Sequence, residues 1–288
     1  MKDNSFCATP GKRIRLKDFD PRDTGKYKSQ HHAQKTLDNN IERLRHYQDL
    51  LYSEHSYSLL IILQAMDAAG KDGTINHVMS GVNPSGCEVH AFKQPSQQEL
   101  DHDFLWRCYK EMPERGKIGI FNRSYYEEVL VTRVHPKFLD AERLPGFDGS
   151  NEKFWKHRFE SINDMEKHLA RNGTVILKFF LHLSKEEQAR RLLERIEDSA
   201  KNWKFSEADL QERLRWNDYM ACYEDMINHT STRHAGWYII PADNKWFTHL
   251  CVSDIIVKTL NDLNLKYPAV SAEQKERLRE AREALTRI

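Results

Sequence analysis

The sequence lacks the features that mark membrane and secreted proteins. It has no apolar run near the roughly 20 residues that span a bilayer, and Met1–Cys7 contains no apolar segment resembling a signal peptide. The five cysteines are odd in number and scattered, with no C-x-x-C pair. Free thiols in a reducing compartment are therefore expected. Together these absences predict a cytoplasmic protein without a membrane partner.

The sequence also argues against a structural metal site and against a general nucleic-acid coat protein. The 14 histidines include no H-E-x-x-H and no Cys/His cluster at zinc spacing. Lysine and arginine total 44 against 43 acidic residues, a net charge of +1, so no nucleic-acid partner is expected. Any site for a polyanion must come from local clustering of positive charge.

Predicted strands and helices alternate along the 288 residues, which are enough for a substantial core. Short apolar strands are predicted at 59–63, 87–92, 118–121, 174–181 and 237–240. Helices are predicted at about 29–51, 96–109, 151–173, 206–230 and 247–263, with a further helix that opens at Ser184. The pattern indicates an α/β fold with one doubly wound, mostly parallel sheet and helices on both faces.

The domain limits follow from composition. Residues 1–27, punctuated by proline and glycine, are predicted to form a surface arm. Residues 28–267 form the predicted main domain. Residues 268–288 form a charged C-terminal helix without a strong apolar stripe, either a partner contact or simply solvated.

One stretch, residues 59–74, passes from an apolar strand through small residues into a Gly70-Lys71 pair. That order predicts a phosphate-binding turn at a helix N-terminus. The match to G-x-x-x-x-G-K-[ST] is imperfect, since Ala65 replaces the first glycine and Asp72 replaces the hydroxyl residue. Asp67 and Asp72 would repel a phosphate unless a cation lay between, which implies Mg²⁺. The alternative is a helix that simply begins with Gly-Lys after a core strand.

Two further segments carry chemistry that fits this turn. Asn122 and Arg123 follow the third predicted strand, where Arg123 could clamp a phosphate, although an ordinary strand-end turn is the alternative. The densest basic stretch comprises Arg190, Arg191, Arg195, Lys201 and Lys204. It predicts a closing lid over about 186–215, against the alternative of a solvated helix face.

Four segments resemble polyphosphate kinase family 2. They are A-M-D-A-A-G-K-D-G-T at 65–74, F-N-R-S-Y-Y-E at 121–127, K-N-W-K-F at 201–205 and I-P-A-D-N-K-W at 240–246. The resemblance covers residues 13–263. It implies a P-loop kinase-like three-layer sandwich, similar to thymidylate kinase, with a helical lid. It also implies Mg²⁺-dependent phosphoryl transfer between inorganic polyphosphate and adenine or guanine nucleotides, in a homo-oligomer that is a tetramer or a dimer.

The resemblance also implies roles for individual residues. Asp67 would hold magnesium, Asp72 would support it, Lys71 would bridge phosphates and Arg123 would clamp the acceptor. The implied catalytic set is Asp67, Lys71, Asp72, Asn122, Arg123, Arg191 and Arg195. The implied nucleotide- and polyphosphate-binding set is Ala68, Ala69, Gly70, Gly73, Thr74, Glu127, Arg133, Lys201 and Lys204.

One position departs from the family pattern, because many members carry Asp where this chain has Asn122. Direct metal binding there is in doubt. The Asn122–Glu127 segment resembles a subgroup that accepts both nucleoside monophosphates and diphosphates, with Glu127 as the candidate for tuning that choice. Two rival functions stay open: an ATP-dependent nucleotide kinase, and a non-catalytic nucleotide- or RNA-binding protein.

Overall fold

The computed structural model describes residues 6–145 and 151–287. Residues 1–5 of the predicted arm and residue 288 of the predicted C-terminal helix lie outside the described residues, as do residues 146–150.

A sheet of five parallel strands lies at the centre of the described residues. Its strands are β1 (Ser58–Gln64), β2 (Cys87–Ala91), β3 (Ile118–Asn122), β4 (Thr174–His182) and β5 (Trp237–Pro241). Their order is β2-β3-β1-β4-β5, so β1 lies in the middle and every one of its residues is buried. Leu63 pairs with Asn122 on one side and with Phe179 on the other. The carboxyl ends of β1, β3 and β4 therefore meet at one edge of the sheet.

Helices connect and cover the strands. The α-helices are α1 (Gln30–Glu54), α2 (Lys71–Val78), α3 (Gln97–Leu100), α4 (Trp106–Tyr109), α5 (Val131–Val134), α6 (Glu152–Arg171), α7 (Lys185–Glu197), α8 (Glu207–Leu214), α9 (Trp216–Thr230), α10 (Lys245–Asp262) and α11 (Ala272–Thr286). Short 3₁₀ turns occur at Leu16–Asp18, Pro84–Gly86, Tyr125–Val129, Pro136–Glu142 and Asn202–Lys204.

The alternation of side chains along β1 divides the core into two layers. Leu59, Ile61 and Leu63 pack with α1 and α10, whose buried positions include Leu44 and Leu250. Leu60 and Ile62 point the other way and pack with α6 and α9. Each fully buried Leu or Ile contributes roughly 1.5–3 kcal/mol of transfer free energy. The predicted three-layer α/β sandwich is confirmed.

Two predicted helices are broken in the structure. Region 96–109 forms α3 and α4, since the Asp103 carboxylate accepts a hydrogen bond from the Leu105 amide and turns the chain between them. Region 206–230 forms α8 and α9, which are separated at Arg215. Helix α9 has a buried face that begins at Trp216, whereas α8 contains no buried residue. The break at Arg215 therefore separates a helix that packs on the core from one that does not.

The two ends of the described chain differ in burial. Phe6 and Ala8 are buried, and their backbones bond to Ile239 and Trp237 of β5. In contrast, α11 contains no buried residue. Among the helices of the described ranges, none combines the length and the hydropathy needed to cross a bilayer.

Candidate active site

Two loops meet at the carboxyl edge of the sheet. The first, residues 65–70, leaves β1 and is called the Gly-Lys loop below; the second contains Arg123 and leaves β3. The Arg123 amide donates to the Leu63 carbonyl at 3.1 Å, which continues the pairing with β1 one residue beyond the end of β3. Ligands of parallel α/β sheets bind at this edge.

The Gly-Lys loop has the backbone of an anion-binding turn. Ala68 and Gly70 both have positive φ, 61° and 103°, and α2 begins at the next residue, Lys71. The first N–H groups of a helix lack intrahelical partners and point toward an approaching anion. A Cβ added at Gly73 would meet no atom within 4 Å, so this turn of α2 borders open space. The structure thus brings together the predicted set Ala68, Ala69, Gly70, Gly73 and Thr74.

One member of that set has its side chain engaged within the turn. The Thr74 hydroxyl donates to the Gly70 carbonyl at 3.0 Å, and its backbone amide donates to the same carbonyl at 2.9 Å. Thr74 is buried, so it stabilises the first turn of α2.

Lys71 extends back across the loop that precedes it. Its ammonium donates to the Ala65 carbonyl at 2.8 Å and to the Met66 carbonyl at 3.5 Å. Burial, followed by repulsion from Arg123, lowers the pKa of Lys71. The ammonium is therefore a poorly hydrated charge, which a phosphate oxygen would stabilise.

Asp67 of the Gly-Lys loop and Asp72 of α2 are each bound by a residue at the end of β3 or just after it. The Arg123 guanidinium donates to Asp67 Oδ1 at 2.8 Å, and the Asn122 amide donates to Asp72 Oδ1 at 2.5 Å. Glu127 lies 3.9 Å from Arg123. Burial raises the pKa of Glu127, although Arg123 and Lys71 oppose the rise. The Arg123 guanidinium therefore lies within 4 Å of two carboxylates, those of Asp67 and Glu127.

This donor set fits a magnesium ion held jointly with substrate. Mg²⁺ in phosphoryl-transfer sites usually takes one or two carboxylates and completes its octahedron with waters and phosphates. Asp67 and Asp72 supply two carboxylates beside the predicted phosphate position. In the described ranges no group of three His, Cys, Asp or Glu side chains could hold a metal by itself. A metal bound here would need ligands from the substrate.

The Arg191 side chain is buried and holds neighbouring segments together. Its five N–H groups all have acceptors: the Ala68, Ala69, Ala242 and Asp243 carbonyls and the Glu187 carboxylate, at 2.6–3.1 Å. The side chain is 4% exposed. Arg191 thus connects α7 to both the Gly-Lys loop and the loop after β5, and a phosphate contact would have to replace one of these bonds.

The other predicted lid cations contact residues of their own segment. Arg195 donates to Asp209 at 2.9 Å, and Lys201 bonds to Glu194 and Asp198. The Lys204 ammonium lies 5.0 Å from the ring centre of the 78%-exposed Trp203. These are contacts within the segment, so the structure does not bring Arg195, Lys201 or Lys204 into contact with the Gly-Lys loop.

Arg133 lies apart from this cluster. Its guanidinium bonds to Asp225 and stacks over Trp155 and Phe159. It borders a separate open cavity of about 970 Å³ whose lining includes Lys12 and Arg13. No contact recorded for Arg133 in the described residues joins it to Asp67, Lys71 or Arg123.

Sequence reasoning missed two residues at the site. Gln188 is fully buried and donates to the Asp67 carbonyl at 3.0 Å, while Arg213 of α8 donates to its side-chain oxygen at 2.9 Å. Asp209 of α8 accepts a hydrogen bond from Arg195 at 2.9 Å, and burial, followed by repulsion from Asp67, raises its pKa. Gln188 lies one helical turn before Arg191, and this spacing could have indicated that the two side chains share a face of the helix. For Asp209 there was no such signal.

The family model, the similar sequences and the similar solved structure all point to one family. The family model of polyphosphate kinase 2 (PPK2) matches residues 26–268. An ADP-polyphosphate phosphotransferase from Rhodopseudomonas palustris is 47% identical over 99% of each chain. An AMP/ADP-polyphosphate phosphotransferase from Meiothermus ruber is 45% identical over 91% of this chain and 94% of its own. The crystal structure of polyphosphate kinase 2 from Arthrobacter aurescens TC1 superposes with a TM-score of 0.86 at 35% identity, over 96% of both chains.

Proposed function

Because this chain belongs to the polyphosphate kinase 2 family, we propose that it transfers a phosphoryl group from inorganic polyphosphate to AMP or ADP, reversibly and with Mg²⁺. The observation that carries the proposal is the convergence of Lys71, Asp67, Asp72 and Arg123 at one edge of the sheet. Relatives that span nearly the whole chain are named for this reaction.

The proposed reaction is an in-line displacement. An oxygen of the acceptor's terminal phosphate attacks the terminal phosphorus of polyphosphate, the new P–O bond forms, and the bond to the rest of the polyphosphate chain breaks. Such transfer needs little covalent chemistry from the protein, so alignment and charge neutralisation supply the rate. Magnesium bound through Asp67 and Asp72 would neutralise phosphate charge and help align the two substrates.

The protein's own residues supply the rest. The N–H groups at the start of α2 would hold phosphate oxygens, and Lys71 would bridge donor and acceptor phosphates. Arg123 would clamp the phosphates of the acceptor nucleotide bidentately. Glu127 would influence the choice between a mono- and a diphosphate acceptor, which its distance of 3.9 Å from Arg123 supports.

The segment from α7 to α8, about residues 186–215, serves as the lid in this proposal. Arg191 would act through the Gly-Lys loop that it holds, because its donors are all engaged. Arg195 and Lys201 would contact polyphosphate after exchanging their acidic partners for phosphate, and Lys204 would contact it from its place beside Trp203. A homo-oligomer, tetramer or dimer, and a cytoplasmic location also belong to this proposal.

The direct test is incubation of the purified protein with ADP, Mg²⁺ and polyphosphate, followed by quantification of ATP. Formation of ATP in proportion to the polyphosphate consumed supports the proposal. An ATP-dependent nucleotide kinase could form ATP only from two ADP molecules, with AMP as the second product and no polyphosphate consumed, and a binding protein would give no turnover. A matrix of AMP, ADP, GMP and GDP as acceptors then defines the nucleotide preference.

A further inference from the structure

Lys178 of β4 and Glu166 of α6 form an ion pair inside the core. Their charged atoms are 2.7 Å apart, and both side chains are fully buried. Charged side chains are rarely buried to this degree, and a buried ion pair is often no more stabilising than apolar residues of the same size. Stability alone therefore does not account for the pair.

The pair belongs to a network in which every donor has an acceptor. The Lys178 ammonium donates at 2.7 Å to Glu166 Oε2, to the Tyr126 hydroxyl and to the Thr230 carbonyl, which uses its three protons. Glu166 Oε1 accepts from the hydroxyls of Tyr125, at 2.8 Å, and Tyr126, at 2.7 Å. We call Lys178, Glu166, Tyr125 and Tyr126 the buried charge network.

The two tyrosines immediately follow a strained turn of the candidate active site. Arg123 has φ 64°, a left-handed conformation that costs a non-glycine residue roughly 1–2 kcal/mol. Upstream, its amide is held by the Leu63 carbonyl. Downstream, the Ser124 hydroxyl accepts hydrogen bonds from the Gln64 side chain and the Tyr126 amide, both at 3.2 Å. A turn of this kind persists only where its surroundings fix it.

The buried charge network supplies the rigid end of that turn. The hydroxyl of each tyrosine donates to the same carboxylate oxygen, so neither hydroxyl can move away from Glu166 without breaking a buried, charge-assisted hydrogen bond. Arg123 precedes the tyrosines and Glu127 follows them. Displacing the tyrosines would displace both charged side chains.

We propose that Lys178 and Glu166 are positioning residues for phosphoryl transfer, which fix Arg123 and Glu127 through the hydroxyls of Tyr125 and Tyr126. The inference rests on the proposed function, in which Arg123 binds the acceptor phosphates. A displacement of about 1 Å at a reacting centre can cost a hundredfold in rate, so small changes in this network have a large effect.

The mildest test is Tyr126→Phe, which keeps the ring and removes one hydroxyl; Glu166→Gln is the stronger variant. We expect kcat/KM for the nucleotide to fall about tenfold or more in Tyr126→Phe, with the KM for polyphosphate unchanged. Ser253→Ala is the matched control, since it removes a buried hydroxyl that bonds to Asn40 and Leu250 in the other core layer. It should lower Tm without changing nucleotide kinetics. A lower Tm with normal nucleotide kinetics in Tyr126→Phe would overturn the inference.

A double-mutant cycle separates positioning from simple loss of stability. If Tyr126 acts through Arg123, Tyr126→Phe lowers kcat/KM for the nucleotide less in an Arg123→Ala background than in the wild type, and only the part that acts through Glu127 remains. A full additional effect there would refute the inference. A normal nucleotide KM in Arg123→Ala itself would refute the proposed role of Arg123 and the inference with it. An Arg123→Ala defect without a Tyr126→Phe defect would refute the inference alone.

Discussion

Arg123 donates a hydrogen bond to the Asp67 carboxylate across 2.8 Å and so joins the loops that follow β1 and β3. The carboxylate proposed to bind the metal therefore already has a cationic partner. Arg123 is also the residue proposed to bind the acceptor phosphates. Bound substrate would give Arg123 phosphate oxygens as partners in place of Asp67. Bound metal would give Asp67 a cation in place of Arg123.

The first prediction concerns that competition. In Arg123→Ala, Asp67 loses its cationic partner, so the free enzyme should bind Mg²⁺ or Mn²⁺ more tightly while turnover falls by about tenfold or more, the size of a lost charge-assisted contact. Titration of Mn²⁺ followed by its electron paramagnetic resonance signal measures the first effect. Arg15→Ala removes an exposed pair with Asp18 and serves as control. Weaker metal binding in Arg123→Ala would contradict the competition.

The second prediction concerns Lys71. Its ammonium has only backbone carbonyls within hydrogen-bond distance among the described residues, and burial lowers its pKa. Lys71→Ala should reduce turnover by about 10²–10³, by analogy with the loss of one preorganised donor at a developing charge. Coupled measurement of ATP formation checks this, with the exposed Lys110→Ala as the matched lysine control. Near-normal transfer by Lys71→Ala would remove Lys71 from the mechanism.

The third prediction compares the two partners of one ion pair in the proposed lid. Arg195 donates to Asp209 at 2.9 Å, and Asp209 in turn is repelled by Asp67. Asp209→Asn frees Arg195 and removes a negative charge, so the KM for polyphosphate should fall roughly fivefold, equivalent to about 1 kcal/mol. Arg195→Ala should raise the same KM and make its salt dependence shallower. Initial rates at two salt concentrations measure both, and a shift of both variants in the same direction would contradict the lid assignment.

The central part of the site was predictable because its signals are local. A buried strand followed by Gly70-Lys71 specifies the turn and the helix start within a few residues. Arg123 could be placed beside it because carboxyl ends of parallel strands meet at one edge. Both features follow from the order of residues along the chain, so a single sequence is enough to predict them.

What could not be predicted depends on packing between distant segments. Arg191 belongs to a run of basic residues, yet its guanidinium is buried among carbonyls of two loops that only the folded sheet brings together. Asp67 contributes to the raised pKa of Asp209 because α8 packs on α7, where Arg213 bonds to Gln188, and no local pattern encodes that packing. Charge patterning in a sequence shows where cations are, but not which acids or carbonyls will meet them.

The last prediction concerns the pH dependence of stability at Glu128. This side chain is buried 3.6 Å from Arg158, which also bonds to Glu142. Burial, followed by repulsion from Glu142, raises the pKa of Glu128 from 4.5 to about 7. The folded state therefore holds a proton, between pH 4.5 and pH 7, that the unfolded chain has released. The contribution to the free energy of unfolding is complete below pH 4.5 and is lost as the pH rises through 7.

Glu128→Gln removes this titration while keeping the size and hydrogen-bonding capacity of the side chain, and Arg158 keeps Glu142 as its partner. The free energy of unfolding of the wild type, measured by urea denaturation, should fall relative to that of Glu128→Gln between pH 5 and pH 8. The full difference is up to about 3 kcal/mol, since one pKa unit corresponds to about 1.4 kcal/mol. Glu114→Gln, at a carboxylate that is 72% exposed, should leave the pH profile unchanged. Parallel profiles for the wild type and Glu128→Gln would show that Glu128 is ionised in the folded protein throughout this range, with Arg158 compensating its burial.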